Sequence, residues 1–122
     1  MKICIAGLGL IGGSLAKTLK KNTDEIVYGI DINKEAIALA LAQEAIDAEI
    51  TPKDMKNADL VILGLYPQAT IDFIKANKGN FKKGGIVIDS CGIKEYVEYL
   101  NKNKDPLYED IIYCEGQKGD VY

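Results

Sequence analysis

The chain of 122 residues contains no histidine, no arginine and no tryptophan. Without histidine it lacks the usual acid or base at neutral pH and the commonest metal ligand. All fifteen of its cationic side chains are lysines, so no guanidinium can clamp a phosphate or carboxylate through two parallel hydrogen bonds. Histidine catalysis and arginine-based anion recognition are therefore excluded within this sequence.

Cysteine is scarce as well, and its three copies are far apart. Cys4, Cys91 and Cys114 form no CxxC pair, which argues against a zinc site and against a disulfide framework. We expect no bound metal, and we expect Cys4 and Cys114 to fill core space in a reducing compartment. Because a strand is predicted from residue 2 onward, no signal peptide is expected before it, and the sequence predicts a cytoplasmic location.

Strong charge of one sign and long apolar runs are also missing. The formal net charge is −3, which gives neither a basic field for nucleic acid nor a polybasic patch for a membrane surface. No apolar run approaches the ~20 residues of a membrane span. Nucleic acid and membrane are therefore not expected as partners.

A glycine-rich segment follows the apolar run at residues 3–6 and precedes a helical stretch. This strand–turn–helix context is what a GxGxxG motif needs in order to bind a dinucleotide. We expect Gly7 to permit the tight turn, Gly9 to let the pyrophosphate approach the backbone, and Gly12 to allow close helix packing. The candidate cofactor-binding residues of this loop are Gly7, Leu8, Gly9, Leu10, Ile11 and Gly12.

An acidic residue stands where the dinucleotide fingerprint places one. Asp31 ends the second apolar run and should accept hydrogen bonds from the adenosine ribose hydroxyls, although it could merely cap the strand end. The same carboxylate would repel a 2′-phosphate, and Ile32 and Asn33 supply no arginine to receive one. The sequence therefore favours NAD over NADP, with Lys34 keeping NADP open.

Short apolar runs alternate with helical stretches along the chain, which is typical of a parallel sheet with crossover helices. We predict one dinucleotide-binding domain over residues 1–122. Its expected fold is α/β, a doubly wound parallel sheet of the Rossmann type with strand order 3-2-1-4-5-6 and helices on both faces. The predicted strands are 2–6, 25–31, 48–50, 58–65, 85–89 and 111–114, and the predicted helices are 10–21, 34–43, 68–77 and 93–103.

Residues just after strands four and five should lie at the same edge as the glycine loop. Tyr66 could equally be a surface aromatic, and Ser90 could cap the next helix. Cys91 lacks a histidine to activate it and is not expected to be a nucleophile. Lys94, in the first turn of the following helix, could meet a substrate carboxylate or be solvated. The candidates for the nicotinamide half are Leu65, Tyr66, Pro67, Ser90 and Cys91.

The opening sixteen residues, MKICIAGLGLIGGSLA, closely resemble the start of prephenate dehydrogenases. The string GLGLIGGSLA is far more specific than GxGxxG, and VYGID at 27–31, ADLVIL at 58–63 and VIDSCGIK at 87–94 fit the same pattern. The resemblance covers about residues 1–114. It implies an NAD(P)-dependent enzyme of tyrosine biosynthesis that oxidatively decarboxylates prephenate to 4-hydroxyphenylpyruvate, with arogenate used by some relatives.

The sequence departs from this family in three respects. The family has a Gly-Gly-His-Pro segment, whose histidine polarises the substrate hydroxyl. In this sequence the position of that histidine falls on or near Gln117, which cannot exchange a proton at neutral pH. Gly92 stands where the family often has a serine. Gly92 and Lys94 are the two candidates for substrate contact. The family's C-terminal helical domain, which supplies a substrate-binding arginine and most of the dimer interface, is absent from the sequence. No catalytic residue is therefore assigned.

The leading hypothesis is the NAD-binding domain of a prephenate dehydrogenase-like oxidoreductase, inactive alone. One alternative is a stand-alone NAD(P)-binding or sensing module without catalysis. Another is the cofactor domain of a different hydroxy-acid or imino-acid dehydrogenase. An uncovered apolar sheet edge would favour a homo-oligomer.

Overall fold

The computed structural model describes residues 1–89 and the backbone of residues 112–115. The elements are β1 (Lys2–Ala6), α1 (Leu10–Asn22), β2 (Ile26–Ile30), α2 (Lys34–Ala42), β3 (Ala48–Glu49), a 3-10 helix (Pro52–Asn57), β4 (Leu60–Leu63), α3 (Pro67–Ala76), a short 3-10 helix (Lys78–Asn80), β5 (Ile86–Asp89) and β6 (Ile112–Glu115).

The six strands form one sheet in the order β3-β2-β1-β4-β5-β6, and every neighbouring pair is parallel. This confirms the predicted fold class and strand order. Because β1 lies between β2 and β4, the turn after β1 emerges beside the ends of both strands. The carboxyl ends of the central strands therefore meet at one edge, which we call the C-terminal edge.

Each face of the sheet carries its own hydrophobic cluster, because successive strand residues point to opposite faces. On one face Ile3 and Ile5 pack with Ala16 of α1 and Ile37 of α2. On the other, Cys4 and its neighbours pack with α3 and the first 3-10 helix. Both faces are covered, as the near-continuous apolar strands predicted.

Cys4 lies in the core, as predicted, and is fully buried. Burial disfavours the thiolate and raises the pKa of the Cys4 thiol to about 12. The thiol is therefore a small apolar filler rather than a reactive group. The side chain of Cys114, on β6, lies outside the described residues.

The predicted bounds of one strand were clearly too wide. The fourth strand, predicted over 58–65, spans only Leu60–Leu63, because Ala58 closes the 3-10 helix before it and Gly64 begins the next turn. Neither 3-10 helix was predicted. The predicted helix over 93–103 falls outside the described residues. Within the described part of the chain, no helix is long and apolar enough to cross a membrane.

Candidate functional site

The loop between β1 and α1 is shaped by close contact between backbones. Gly7 adopts a φ of +94°, which disfavours side-chain-bearing residues. A Cβ on Gly12 would lie 1.8 Å from the carbonyl oxygen of Gly7, and one on Gly64 would lie 2.9 Å from the same oxygen. Gly12 therefore allows the helix to pack against the turn itself, a tighter constraint than the predicted packing on the strand.

The N-terminus of α1 is not capped or neutralised by side chains of the helix itself. Gly9 is the N-cap residue, no side chain caps the helix, and its first turn contains no acidic residue. The first intrahelical bond runs from the Gly13 amide to the Gly9 carbonyl, at 2.8 Å. The amides before Gly13 lack intrahelical acceptors, and the positive end of the helix dipole lies with them. This arrangement suits a phosphate.

Open space lies beside this helix end. A Cβ on Gly9 would meet no atom within 4 Å. Leu10 and Ile11 are 88% and 59% exposed. A cleft of about 370 Å³ runs from the loop along the groove between α1 and α2, lined among others by Leu8, Gly9, Ser14 and Leu39. The side of Gly9 that faces away from the sheet is therefore accessible to a ligand.

Asp31 joins the glycine loop to the start of α2. Its Oδ2 accepts a hydrogen bond from the Leu8 amide at 2.8 Å, and its Oδ1 accepts one from the Asn33 amide at 2.8 Å. A carboxylate offers about four acceptor positions, so these two bonds fix its orientation and leave capacity for further donors. The carboxylate is thus held beside the loop, where the fingerprint requires it.

The segment after β4 reaches the same edge. Leu65 lies against the glycine loop, since a Cβ on Gly7 would be 2.8 Å from Leu65 Cδ2. Tyr66 is the N-cap residue of α3 and is 86% exposed. The buried Thr70 hydroxyl donates to the carbonyls of Tyr66 and Leu65, at 3.0 and 3.2 Å, and so fixes this turn. Pro67 occupies the first position of α3.

The structure therefore brings one group of predicted site residues together at the C-terminal edge: Gly7, Leu8, Gly9, Leu10, Ile11, Gly12, Asp31, Leu65, Tyr66 and Pro67. A second group lies outside the described residues: Ser90, Cys91, Gly92, Lys94 and Gln117.

A known family accounts for most of the chain. The model of the family described as prephenate dehydrogenase, nucleotide-binding domain, matches residues 15–111.

The chain belongs to this family.

Relatives agree with that assignment. Prephenate dehydrogenase of Lactococcus lactis subsp. cremoris is 33% identical over a 105-residue alignment that covers 83% of this chain and 29% of that protein. The chain thus spans less than a third of the relative's length. A crystal structure of prephenate dehydrogenase from A. aeolicus in complex with hydroxyphenyl propionate and NAD+ superposes with a TM-score of 0.79 at 24% identity, covering 93% of this chain and 40% of that one. At that identity the superposition shows a shared fold.

A shorter match is to a different kind of protein. Over 30 residues, a quarter of the chain, the sequence is 57% identical to a DNA gyrase polypeptide of Synechocystis sp., of which it covers 3%. The family match leaves 14 residues before it and 11 after it, so any 30-residue stretch shares 16 or more residues with it. The gyrase likeness therefore does not mark a separate segment, and its coverage is too small to show a family.

The opposite edge of the sheet, where the strands begin and which we call the N-terminal edge, holds paired charges. The terminal amine lies 2.5 Å from Glu25, and Lys82 lies 2.5 Å from Asp59. Asp59 also accepts a hydrogen bond from the Lys2 amide at 2.8 Å. This hydrogen bond first, and then Lys82, lower the pKa of Asp59 to about 2.

Asp47 has a comparable role on the same edge. It accepts a hydrogen bond from the Val27 amide at 2.8 Å and lies 2.9 Å from Lys20. The Val27 amide is the main reason that the pKa of Asp47 is lowered, with Lys20 adding to the effect. These carboxylates stabilise the fold in their charged form.

Sequence reasoning missed three features of this nucleotide-binding domain. Gly64 was overlooked, although a glycine ending an apolar strand is a known sign of close backbone approach. Ile32, at the C-terminal edge, is 99% exposed. Lys34 forms an ion pair with Glu49 at 3.0 Å, and no pattern in the sequence relates these two positions.

Proposed function

We propose that residues 1–122 form the NAD-binding domain of a prephenate dehydrogenase-like oxidoreductase. The observation that carries the proposal is the arrangement at the C-terminal edge. An uncapped helix N-terminus, open space at Gly9 and the oriented carboxylate of Asp31 lie around one loop. These are the groups that a dinucleotide's pyrophosphate and ribose require.

In this proposal the chain's own residues bind and orient the cofactor. The pyrophosphate lies against the amides that open α1, where a side chain on Gly9 would intrude. Asp31 accepts the adenosine ribose hydroxyls with the acceptor capacity that Leu8 and Asn33 leave. The exposed Ile32 side chain covers one face of the adenine.

The nicotinamide half lies toward the end of β4, against Leu65, Tyr66 and Pro67, with Ser90 and Cys91 as further candidates. NAD, once bound, supplies a hydride acceptor. The named complex of the A. aeolicus relative, which contains NAD+ and hydroxyphenyl propionate, supports NAD and a substrate of the prephenate or arogenate class, whose ring becomes aromatic only in the product. Lys94 and Gly92 remain proposed substrate contacts.

We further propose that the 122-residue chain alone does not turn over prephenate. It contains no histidine, and Gln117, near the family's histidine position, cannot act as an acid or base at neutral pH. Rapid turnover of prephenate by this chain, followed as NADH formation, would contradict this part of the proposal and leave the cofactor site intact.

The cofactor site is tested by titration with NADH, followed by its fluorescence. We expect saturable binding by the wild-type chain. Gly9→Ala should weaken binding about tenfold, equivalent to about 1.4 kcal/mol, because the added methyl occupies the space assigned to the pyrophosphate. Its unfolding temperature should fall only slightly, because the methyl meets no atom of the chain but alanine is a poorer N-cap residue than glycine.

Gly79→Ala is the matched control. Gly79 is also free of neighbours within 4 Å but lies in the second 3-10 helix. This variant should bind NADH as the wild type does. A wild-type chain that shows no saturable change at millimolar NADH, or a Gly9→Ala variant that binds unchanged, would overturn the proposal.

A further inference from the structure

Lys34 is the only cation on the segment that follows β2. It is the first residue of α2, three residues after Asp31, and residues 31–42 contain no other lysine. Its side chain is 79% exposed. If NADP were bound with its ribose at Asp31, Lys34 would be the positive charge within this segment able to approach a 2′-phosphate.

Glu49 forms an ion pair with the ammonium group of Lys34. It is the last residue of β3 and lies beside Gly29 of β2 in the parallel register. Its Oε2 is 3.0 Å from Lys34 Nζ. The ion pair directs the ammonium group toward the outer strand of the sheet.

We propose that Glu49 is a specificity-determining residue that disfavours NADP by engaging Lys34. The inference rests on the proposed NAD site. Asp31 excludes a 2′-phosphate by direct repulsion, whereas Glu49 acts through Lys34 by removing the cation that would receive it. The ion pair is exposed, so its effect on NADP affinity is modest. Replacing Glu49 alone should release Lys34 from the pair.

The test compares Kd values for NADH and NADPH, measured by nucleotide fluorescence with the 122-residue chain. Glu49→Gln should tighten NADPH binding about three- to fivefold and leave NADH binding unchanged, because only NADPH carries the phosphate that a released Lys34 can contact. The gain should shrink at high salt, since exposed charges are screened.

Two variants separate this effect from a general change in charge. Glu35→Gln removes a neighbouring exposed carboxylate of α2 without releasing Lys34, and should leave the NADPH Kd within about twofold of wild type. Lys34→Gln combined with Glu49→Gln should abolish the gain. An equal gain from Glu35→Gln, or a gain that survives the loss of Lys34, would overturn the role of Glu49.

Failure of this inference is distinguishable from failure of the proposed function. If the wild type binds NADH and Glu49→Gln leaves NADPH affinity unchanged, the specificity role is wrong and the cofactor site stands. If neither nucleotide binds the wild type, the proposed function fails and this inference fails with it.

Discussion

The two edges of the sheet treat polar groups in opposite ways. At the N-terminal edge, Asp59 and Asp47 accept hydrogen bonds from strand amides and pair with lysines. At the C-terminal edge, the first turn of α1 has no side-chain cap, and Leu10 and Ile11 are exposed. The strand amides of Lys2 and Val27 are thus satisfied by side chains, whereas the first turn of α1 retains capacity for a ligand. Stability and binding should therefore respond to different substitutions.

The largest expected effect comes from Gly12, whose replacement should reduce both stability and NADH binding. Gly12→Ala places a methyl 1.8 Å from the Gly7 carbonyl oxygen, so the turn must move. Overpacking of this kind lowers the free energy of unfolding by about 1–3 kcal/mol or more, and the distorted loop should not bind NADH. Urea denaturation and NADH titration measure the two losses.

Gly13→Ala is the adjacent control. Its Cβ would lie 3.4 Å from the Leu8 carbonyl oxygen, an ordinary contact, and alanine is the better helix former. The variant should be as stable as the wild type or more so. If Gly12→Ala and Gly13→Ala behave alike, the close backbone contact does not determine the loop.

A smaller effect tests whether the C-terminal edge also contributes to stability. The Asn33 side chain caps α2 by accepting from the amides of Glu35 and Ala36, at 2.9 and 3.4 Å. Asn33→Ala should lower the free energy of unfolding by about 1 kcal/mol, whereas Asn33→Asp, which keeps the acceptor, should not. Thermal unfolding of the two variants measures this difference. If Asn33→Ala and Asn33→Asp were equally stable, the side-chain cap would contribute nothing to stability.

The smallest effect is the loss of folding stability at acidic pH. Because Asp59 has a pKa of about 2 in the folded chain against an ordinary value of 3.8, its contribution is present above about pH 4 and is lost as the pH falls through about 2. Asp47, whose pKa is also lowered, acts in the same direction. Urea unfolding between about pH 6 and pH 2 should show falling stability, and Asp59→Asn should flatten that dependence without altering NADH affinity at neutral pH.

Asp24→Asn serves as the control on the same edge, since Asp24 is exposed beside these pairs. It should keep the wild-type pH dependence. A pH profile that Asp59→Asn leaves untouched would show that the lowered pKa is not coupled to folding. An Asp59→Asn variant with weakened NADH binding would show that the two edges are not independent.

The sequence was sufficient to predict the sheet and the loop, because both depend on local patterns. Short apolar runs identified β1, β2, β4 and β5, and helix-forming residues after Asn33 identified α2. The Thr51–Asp54 capping box and Pro52 could have indicated the first 3-10 helix. Its six residues are too few for a helical periodicity to be recognised.

The contacts that refine the candidate site could not be predicted in this way. The Lys34–Glu49 pair depends on the register between β2 and β3, and β3 is only two residues long. The predicted strand order already places β4 next to β1, but the close approach of Gly64 to Gly7 depends on the exact spacing of the two turns, which the order alone does not give. The position of Asp31 in the fingerprint was predictable, whereas its two amide donors were not.

The contact among Gly7, Gly12 and Gly64 also limits how this domain can be redesigned. Main chain meets main chain there, so the turn after β1 has no room for a larger residue at Gly7, Gly12 or Gly64. An engineer who wants a different coenzyme preference would leave the turn untouched and work at its margin, at the exposed pair of Lys34 and Glu49.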